Sequence, residues 1–220
     1  MITGPLVTRS PFDDTALLWC ETQFQPSDLR ALDHDGEGAG PFHIALPAAL
    51  TGAVAKRRTE FLAGRLCAAH VLRQAGLPET VGQQGRAPVW PSGVAASITH
   101  SRTRAIAALS HRHAGLGIDC EALVPHDRAT QLVAEIMDEA ESALRPAALP
   151  FATFFTLVFS AKEALYKALS PRLTRIPAFR DARLTGLSPR AATISLDGTA
   201  HPVLFRLGRE DCVTLALIGP

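Results

Sequence analysis

The spacing of apolar residues divides the chain into helical and strand-like segments. Longer runs with helical spacing predict three helices, over about 47–74, 126–145 and 151–169. Short runs rich in apolar and β-branched residues predict strands at about 94–99, 104–110, 116–121, 180–186, 191–196, 201–207 and 211–218. Each half of the chain thus carries a long helix and several short strands. This pattern hints at an internal duplication without demonstrating one.

Proline, glycine and acidic residues indicate where these segments begin and end. Pro47 suits the first turn of the first helix, Gly76 lies just past its end, and Asp127 is a candidate cap for the second helix. Residues 1–45 include the acidic, glycine-rich run 33–38 and are expected to be irregular. Turn residues predict two loops and one hairpin turn, at 85–93, 171–177 and 197–198.

Composition excludes several classes of protein. The chain has 220 residues, of which 47% are apolar and 20% charged, so it can fold as one large domain or two small ones. A formal net charge of +1 predicts no bulk attraction to nucleic acid or to a membrane. The first residues lack the pattern of a signal peptide, and no apolar run approaches the roughly 18 residues of a membrane span. The four cysteines are widely spaced and form no Cys-x-x-Cys pair, so we expect reduced thiols, no zinc site and a cytoplasmic protein.

The third predicted helix carries the most informative charges. At about 100° per residue, four polar residues share one sector roughly 140° wide: Lys162, Glu163, Tyr166 and Lys167. Apolar residues occupy the opposite side: Phe154, Val158, Ala161, Leu165 and Ala168. A solvated helix face would explain the charges, and so would a site for a charged ligand.

A second acidic cluster lies upstream, in a strand-like segment. Alternation along this strand points Asp119 and Glu121 to the same face. Gly115 and Gly117 precede them on that face, and their lack of bulk leaves room for a ligand. The acidic pair alone also fits a strand that ends in solvent. Once Glu163 is added, three carboxylates with lysines nearby suit a divalent metal that holds a phosphate ester.

The first predicted helix carries a basic run, residues 56–65. Arg58 and Arg65 are seven residues apart and lie nearly in line with its apolar stripe, which is formed by Val54, Phe61, Ala68 and Leu72. Arginines on such a stripe are partly desolvated and favour an anion. Snorkelling at the edge of the core, or pairing with Glu60, explains each of them equally well. A nucleic-acid site is a weaker alternative, because the run is short and no aromatic residues interleave with it.

A turn-rich segment and a strand end supply further candidates. Gly85, Pro88 and Pro91 fix a loop whose backbone could line an adenine or a phosphate. His100 ends the strand that follows. A lone histidine is more often structural, although His100 could donate to a phosphate oxygen.

Together these segments resemble one family. Residues 117–121, followed about 40 residues later by residues 159–167, are similar to the paired signature of the 4′-phosphopantetheinyl transferases. Three upstream blocks resemble that family's other motifs in order and spacing: 56–65, 88–91 and 97–100. The resemblance covers about residues 46–170. Within the family, the chain resembles the large single-chain class, which activates siderophore and polyketide synthases.

The resemblance implies an α+β fold of two similar halves related by a pseudo-twofold axis. Each half would pack a long helix on a small, mainly antiparallel sheet, and coenzyme A would bind between the halves. Residues 1–112 would carry the nucleotide and 3′-phosphate contacts, and residues 113–220 the metal site and the Lys-Glu helix. The resemblance also favours a monomer.

The resemblance implies roles for individual residues as well. Mg²⁺, with Mn²⁺ as an alternative, would be held by Asp119, Glu121 and Glu163. The 3′-phosphate of coenzyme A would be bound by Arg57, Arg65 and His100, to which helix geometry adds Arg58. Contacts near the nucleotide would come from Gly85, Arg86, Ala87, Pro88 and Thr99. Contacts with the pyrophosphate would come from Lys162 and Lys167.

The implied reaction moves 4′-phosphopantetheine from coenzyme A to a serine of an apo acyl or peptidyl carrier protein and releases 3′,5′-ADP. Glu163 would act as the base, directly or through a metal-bound water, while Lys162 would assist the leaving group and Asp119 would hold the metal. Two other interpretations stay open. One is a magnesium-dependent hydrolase of nucleotide pyrophosphates, and the other is a non-catalytic protein that binds coenzyme A or carriers.

Overall fold

Contacts between Cα atoms divide the chain into two units, Met1–His111 and Arg112–Pro220. The structure is a computed structural model that describes residues 1–27, 29–36, 40–85, 87–173, 175 and 177–219. Both units are of the α+β class, and in each a long helix packs on an antiparallel sheet. The α+β class predicted from the sequence is therefore confirmed.

The first unit builds its sheet from strands that are distant in sequence. Its elements are β1 (Leu18–Gln23), β2 (Ala31–Gly36), β3 (Gly40–Ala45), α1 (Ala55–Gln74), β4 (Gly82–Gln84), β5 (Ala87–Val89), β6 (Ala95–His100) and β7 (Arg104–Ser110). An antiparallel sheet has the order β1-β7-β6, and β2–β3 and β4–β5 form separate hairpins. The helix α1 packs on this sheet, where Gly64 allows a close approach: a Cβ there would lie 2.9 Å from Cγ2 of Ile98.

The second unit is built around a larger sheet. Its elements are β8 (Gly115–Ala122), α2 (His126–Ile136), α3 (Glu139–Ser142), α4 (Phe151–Leu169), β9 (Arg183–Leu187), β10 (Ala191–Leu196), β11 (Thr199–Leu207) and β12 (Asp211–Ile218). These strands form one antiparallel sheet in the order β8-β12-β11-β10-β9. The predicted turn between β10 and β11 is confirmed, because Asp197 and Gly198 both have positive φ, 48° and 79°.

The helix α4 lies unusually close to β8. A Cβ at Gly117 would lie 1.9 Å from the carbonyl oxygen of Ala164, and one at Gly115 would lie 2.3 Å from that of Ala168. Any side chain at these two positions would therefore collide with the helix backbone. The sequence analysis assigned this space to a ligand, and that assignment was wrong: the glycines make room for α4.

The amino-terminal 45 residues are more regular than the sequence indicated. They contain β1, β2 and β3, and the acidic run that we expected to be a loop lies partly within β2; Glu37 and Gly38 fall outside the described residues. Asp33 of this strand is directly opposite His43 in register and pairs with it at 2.7 Å. Cross-strand side-chain contacts of this kind stabilise a sheet, so a segment rich in polar residues can form a strand.

Two helix boundaries also differ from the predictions. The long helix α1 begins at Ala55 instead of residue 47, because Pro47 precedes a short 3-10 turn, and Val54 is 72% exposed and does not belong to the buried stripe. The segment predicted as one helix over 126–145 is divided at Met137, where Asp138 caps α3 in a capping box with Glu141. The helix predicted over 151–169 is confirmed.

Within the described part of the chain, no helix combines the length and the apolar character that a membrane span requires.

We expect Gly117→Ala to destabilise the second unit severely. The added methyl group would meet backbone atoms of α4, which cannot move without displacing the helix, and overpacking of this kind costs about 3 kcal/mol or more. Urea unfolding measures the loss. Gly186→Ala is the matched control, because that glycine lies in β9 with its nearest neighbour, Oγ1 of Thr193, at 3.6 Å. Equal stability of the two variants would contradict the close packing of α4 on β8.

Candidate active site

The carboxylate of Asp119 is the most firmly held group of the acidic cluster. The residue lies in β8 and is 3% exposed. Lys167 donates from Nζ to Oδ1 of Asp119 at 2.6 Å, and Ser160 donates from Oγ to Oδ2 at 2.8 Å. Thr214, which is opposite Asp119 in the register of β12 with β8, contacts the Ser160 hydroxyl at 2.9 Å. Two side chains of α4 therefore fix the orientation of this carboxylate.

Glu121 and Glu163 complete the cluster. Burial, together with the negative charges of Asp119 and Glu163, raises the pKa of Glu121 to about 7, while Lys167 opposes the shift. Burial also raises the pKa of Glu163; Lys167 opposes this shift, and Asp119 adds to it. The three carboxylates and Lys167 are thus close enough to influence one another. Their negative charge exceeds what the single ammonium of Lys167 compensates.

The donor set of this cluster suits a hard divalent cation. Carboxylate oxygens are the ligands that Mg²⁺ prefers, and a divalent charge would oppose the burial and the carboxylate repulsion that together raise the pKa of Glu121. The described residues contain no group of three acidic, histidine or cysteine side chains gathered as a formed metal centre. Lys167 lies instead against Oδ1 of Asp119 and against the carbonyl oxygen of Ile118. The chemistry of the residues therefore fits the metal, and the ammonium holds the place that a cation would take.

Lys162 has a different environment from the one predicted. Its side chain is fully buried and forms an ion pair with Glu141 at 2.7 Å. Nζ also donates to the carbonyl oxygens of Ile136 at 2.5 Å and Phe179 at 3.0 Å. Burial lowers the pKa of Lys162, and the neighbouring carboxylate of Glu141 opposes that shift. An ammonium that uses three protein acceptors in the core cannot contact a pyrophosphate, so the assignment of Lys162 to coenzyme A and to catalysis was wrong.

The different environment of Lys162 has a geometric cause. The polar sector of the helix is roughly 140° wide, and Lys162 and Lys167 lie at its two opposite edges. The helix therefore turns Lys167 toward β8 and Lys162 toward α3. Glu163 lies between them and is partly exposed.

The first unit brings a second group of predicted residues together. Arg57, near the start of α1, places Nη1 3.2 Å from Nε2 of His100, which ends β6. Glu60 approaches both residues, with carboxylate oxygens 3.9 Å from Nη1 of Arg57 and from Nδ1 of His100. Lys56 adds a further ammonium 3.8 Å from Glu60. A half-exposed basic cluster of this kind can bind a phosphate.

The other two arginines of α1 that the sequence analysis proposed as ligands, Arg58 and Arg65, mainly contact backbone. Arg58 is 8% exposed and donates from Nη1 to the carbonyl oxygens of Thr51 and Ala53; its contact with coenzyme A stays a prediction. Arg65 donates from Nη1 to the carbonyl oxygens of Val81 at 3.0 Å and Gly82 at 3.3 Å. Burial lowers the pKa of Arg65. The guanidinium of Arg65 thus supports the start of the β4–β5 hairpin, and its contact with a 3′-phosphate stays a prediction.

The hairpin β4–β5 carries the predicted nucleotide loop. Gly85 lies at its tip with a φ of 59°, in the left-handed region that favours glycine. Ala87 and Pro88 follow in β5, and Arg86 lies outside the described residues. Thr99 is 4% exposed within β6. The contact of these residues with a nucleotide stays a prediction.

Three residues of the second unit act on the site without having been singled out from the sequence. Ser160 and Thr214 orient Asp119, and Glu141 pairs with Lys162. A small hydroxyl inside an apolar helix face or strand is the one signal that marks the first two. For Glu141 the signal is the pattern Asp-x-x-Glu of residues 138–141, which is typical of a capping box.

Comparisons with known proteins match both units. The family model of the 4′-phosphopantetheinyl transferase N-terminal domain matches residues 46–110. The family model of the 4′-phosphopantetheinyl transferase superfamily matches residues 115–216. Enterobactin synthase component D of Salmonella typhimurium is 42% identical over 149 residues, which are 67% of this chain and 62% of that protein. The 4′-phosphopantetheinyl transferase PptT of Mycobacterium tuberculosis is 36% identical over 171 residues, 74% of this chain and 73% of that protein. The chain thus spans less than two thirds of the Salmonella relative.

A solved structure shows a more distant likeness. It is a holo-(acyl-carrier-protein) synthase from Bacillus anthracis in complex with CoA (3′,5′-ADP), with a TM-score of 0.37 and 21% identity. The match covers 49% of this chain and 97% of that one.

We expect Lys162→Met to destabilise the protein by about 3–5 kcal/mol, because it leaves the carboxylate of Glu141 buried without its counter-ion. Denaturant unfolding followed by circular dichroism measures this change. Adding Glu141→Gln should recover part of the loss, since it removes the stranded charge. A Lys162→Met protein of normal stability would contradict the structural role of this lysine.

We expect Glu121 to make stability depend on pH when divalent cations are chelated. Its pKa of about 7 in the folded protein exceeds the ordinary value of 4.5, so the folded state binds the proton more tightly. The resulting stabilisation is complete below the ordinary pKa and is lost as the pH rises through 7. Glu121→Gln removes this contribution, so the variant should gain stability relative to the wild type between about pH 5 and 8. Glu135→Gln, on an exposed position of α2, is the control; parallel pH profiles for all three proteins would contradict the shift.

Proposed function

Because the chain belongs to the 4′-phosphopantetheinyl transferase superfamily, we propose that it transfers 4′-phosphopantetheine from coenzyme A to a serine hydroxyl of an apo carrier protein. The observation that carries this proposal is the acidic cluster of Asp119, Glu121 and Glu163 around Lys167. It lies within the segment that the superfamily model matches. The cluster combines oxygen ligands for a metal with a cation for a phosphate, which phosphoryl transfer requires.

The proposed metal is Mg²⁺, held by Asp119, Glu121 and Glu163. When bound, it would draw negative charge from the pyrophosphate of coenzyme A. Lys167 would then leave the Asp119 carboxylate and donate to pyrophosphate oxygens, because Asp119 and a phosphate compete for the same ammonium. Ser160 would keep the other oxygen of Asp119 in place. The role at the pyrophosphate that we predicted for two lysines thus falls to Lys167.

The proposed reaction needs one proton acceptor. The carrier serine attacks the phosphorus that bears pantetheine; a new P–O bond forms and the bond to 3′,5′-ADP breaks. Glu163 is the candidate for accepting the serine proton, since burial raises its pKa and its side chain is partly exposed. A carboxylate with a raised pKa is a stronger base than an ordinary one. Lys167 would stabilise the charge that develops on the departing 3′,5′-ADP.

The basic cluster of the first unit is the proposed site of the 3′-phosphate. Arg57 and His100 would bind this group far from the reacting phosphorus and thereby position the substrate.

The free, buried state of the four cysteines fits the reducing cytoplasm, where we expect the enzyme to act.

We expect the protein to modify an apo carrier when both are incubated with coenzyme A and Mg²⁺. Intact-mass measurement over a panel of apo acyl and peptidyl carriers should show a gain of one phosphopantetheine, with release of 3′,5′-ADP. Release of 3′,5′-ADP without a change in carrier mass would favour a pyrophosphate hydrolase. Binding of coenzyme A without either product would indicate a non-catalytic protein.

Variants of the acidic cluster provide the matched test. Asp119→Asn and Glu163→Gln should each lower turnover by about 100-fold or more, because one removes a charged metal ligand and the other the base. Glu135→Gln makes the same change of charge at an exposed position of α2 and should retain full turnover. Near-normal rates for the first two variants would refute the assignment of the site.

A further inference from the structure

Glu60 lies at the centre of the basic cluster, although a carboxylate is an unexpected neighbour for a bound phosphate. The residue is 8% exposed, and two cations and an imidazole lie within 4 Å of its carboxylate: Lys56, Arg57 and His100. We propose that Glu60 is the positioning residue of this anion site and that it prepares Arg57 and His100 to bind the 3′-phosphate of coenzyme A. The ligand in this inference rests on the proposed function.

Arg57 determines which nitrogen of His100 carries the proton. A guanidinium is always protonated and only donates, so Nη1 of Arg57, at 3.2 Å, donates to Nε2 of His100. The proton of the neutral imidazole must then be on Nδ1. Nδ1 is the nitrogen that faces Glu60, at 3.9 Å. The same oxygen, Oε2 of Glu60, lies 3.9 Å from Nη1 of Arg57 and 3.9 Å from Nδ1 of His100, so one carboxylate approaches both groups. Its negative charge beside Nδ1 favours the tautomer that the Arg57 contact sets.

This arrangement gives His100 a defined response to an anion. A phosphate that accepts a hydrogen bond from Arg57 withdraws the Nη1 donor from Nε2. Nε2 can then take a proton from solvent and donate it to the phosphate, which converts His100 to an imidazolium. Its Nδ1–H still faces the carboxylate of Glu60, which balances the new charge. Glu60 therefore supports the form of His100 that binds the anion.

The sign of one measurement separates this role from simple electrostatics. If Glu60 acted only through its charge, removing the carboxylate would strengthen phosphate binding, because one repulsive charge would be lost. If Glu60 positions Arg57 and His100, removing the carboxylate should weaken binding. The two expectations are opposite, so the direction of the change decides between them.

The experiment compares coenzyme A with dephospho-coenzyme A, which lacks the 3′-phosphate. We expect Glu60→Gln to weaken binding of coenzyme A by roughly fivefold, the scale of one ion-pair contact at a partly exposed site, and to leave dephospho-coenzyme A unaffected. Isothermal titration calorimetry measures both. Unchanged or tighter binding of coenzyme A by the variant would overturn the proposal.

Two further variants exclude a merely structural effect. Glu79→Gln makes the same substitution elsewhere in the first unit, where the glutamate pairs with Arg73 at 2.6 Å, and should not change coenzyme A binding. In a His100→Asn background, Glu60→Gln should lose most of its effect, since Glu60 acts through His100. An equal loss with and without His100 would overturn the positioning role.

Nuclear magnetic resonance provides a readout that does not depend on coenzyme A. In the ligand-free protein, the ¹⁵N shifts of His100, assigned by comparison with His100→Asn, should report the Nδ1–H tautomer, and Glu60→Gln should reduce its population. An Nε2–H ring in the wild type would overturn the inference. If the wild type does not prefer coenzyme A over dephospho-coenzyme A, the proposed ligand is wrong, while the tautomer still decides what Glu60 does to the ring.

Discussion

The second unit depends on the contact between two glycines of β8 and the backbone of α4. Because Gly115 and Gly117 carry no side chain, the helix reaches the strand closely enough for Lys167 and Ser160 to bond the carboxylate of Asp119. The same contact defines which part of the helix meets which part of the strand. The acidic cluster is therefore a consequence of backbone packing two and four residues earlier in the strand. A bulkier residue at either glycine would push α4 away from β8 and so separate Lys167 and Ser160 from Asp119, although it changes none of the charged residues.

The sequence was sufficient for the helix over 151–169 and for the strand that carries the acidic residues of β8, because both depend on local periodicity. The class of fold came from the resemblance to one family. The sequence was insufficient for β1–β3, where pairing between strands outweighs a composition typical of loops. It also failed for Lys162, since a helical wheel gives directions without showing what lies in them. Only the folded chain shows that α3 supplies a buried carboxylate on that side. The spacing of Arg58 and Arg65 also did not show their backbone contacts, because the acceptors of Arg58 lie in the turn before its own helix.

The two lysines of α4 show how one helix can serve stability and chemistry at once. Lys162 is saturated by acceptors of its own unit and has no donor left for a ligand. Lys167 is partly exposed and bonds Asp119, one of the three carboxylates that we propose as metal ligands. The segment that resembles the family motif therefore contains two lysines in different environments, one buried in the core and one beside the acidic cluster. Loss of activity after substitution of such a motif does not by itself identify a residue that touches the substrate.

The capping box at the start of α3 does more than cap the amino end of that helix. Glu141 accepts hydrogen bonds from the backbone amides of Asp138 and Leu184 and also neutralises Lys162. A helix of four residues has no stability of its own. The amino end of α3, the first residues of β9 and the turn at Phe179 are thus joined through one carboxylate and one ammonium. We expect them to open as a single unit, whose amides share one free energy of opening in hydrogen exchange.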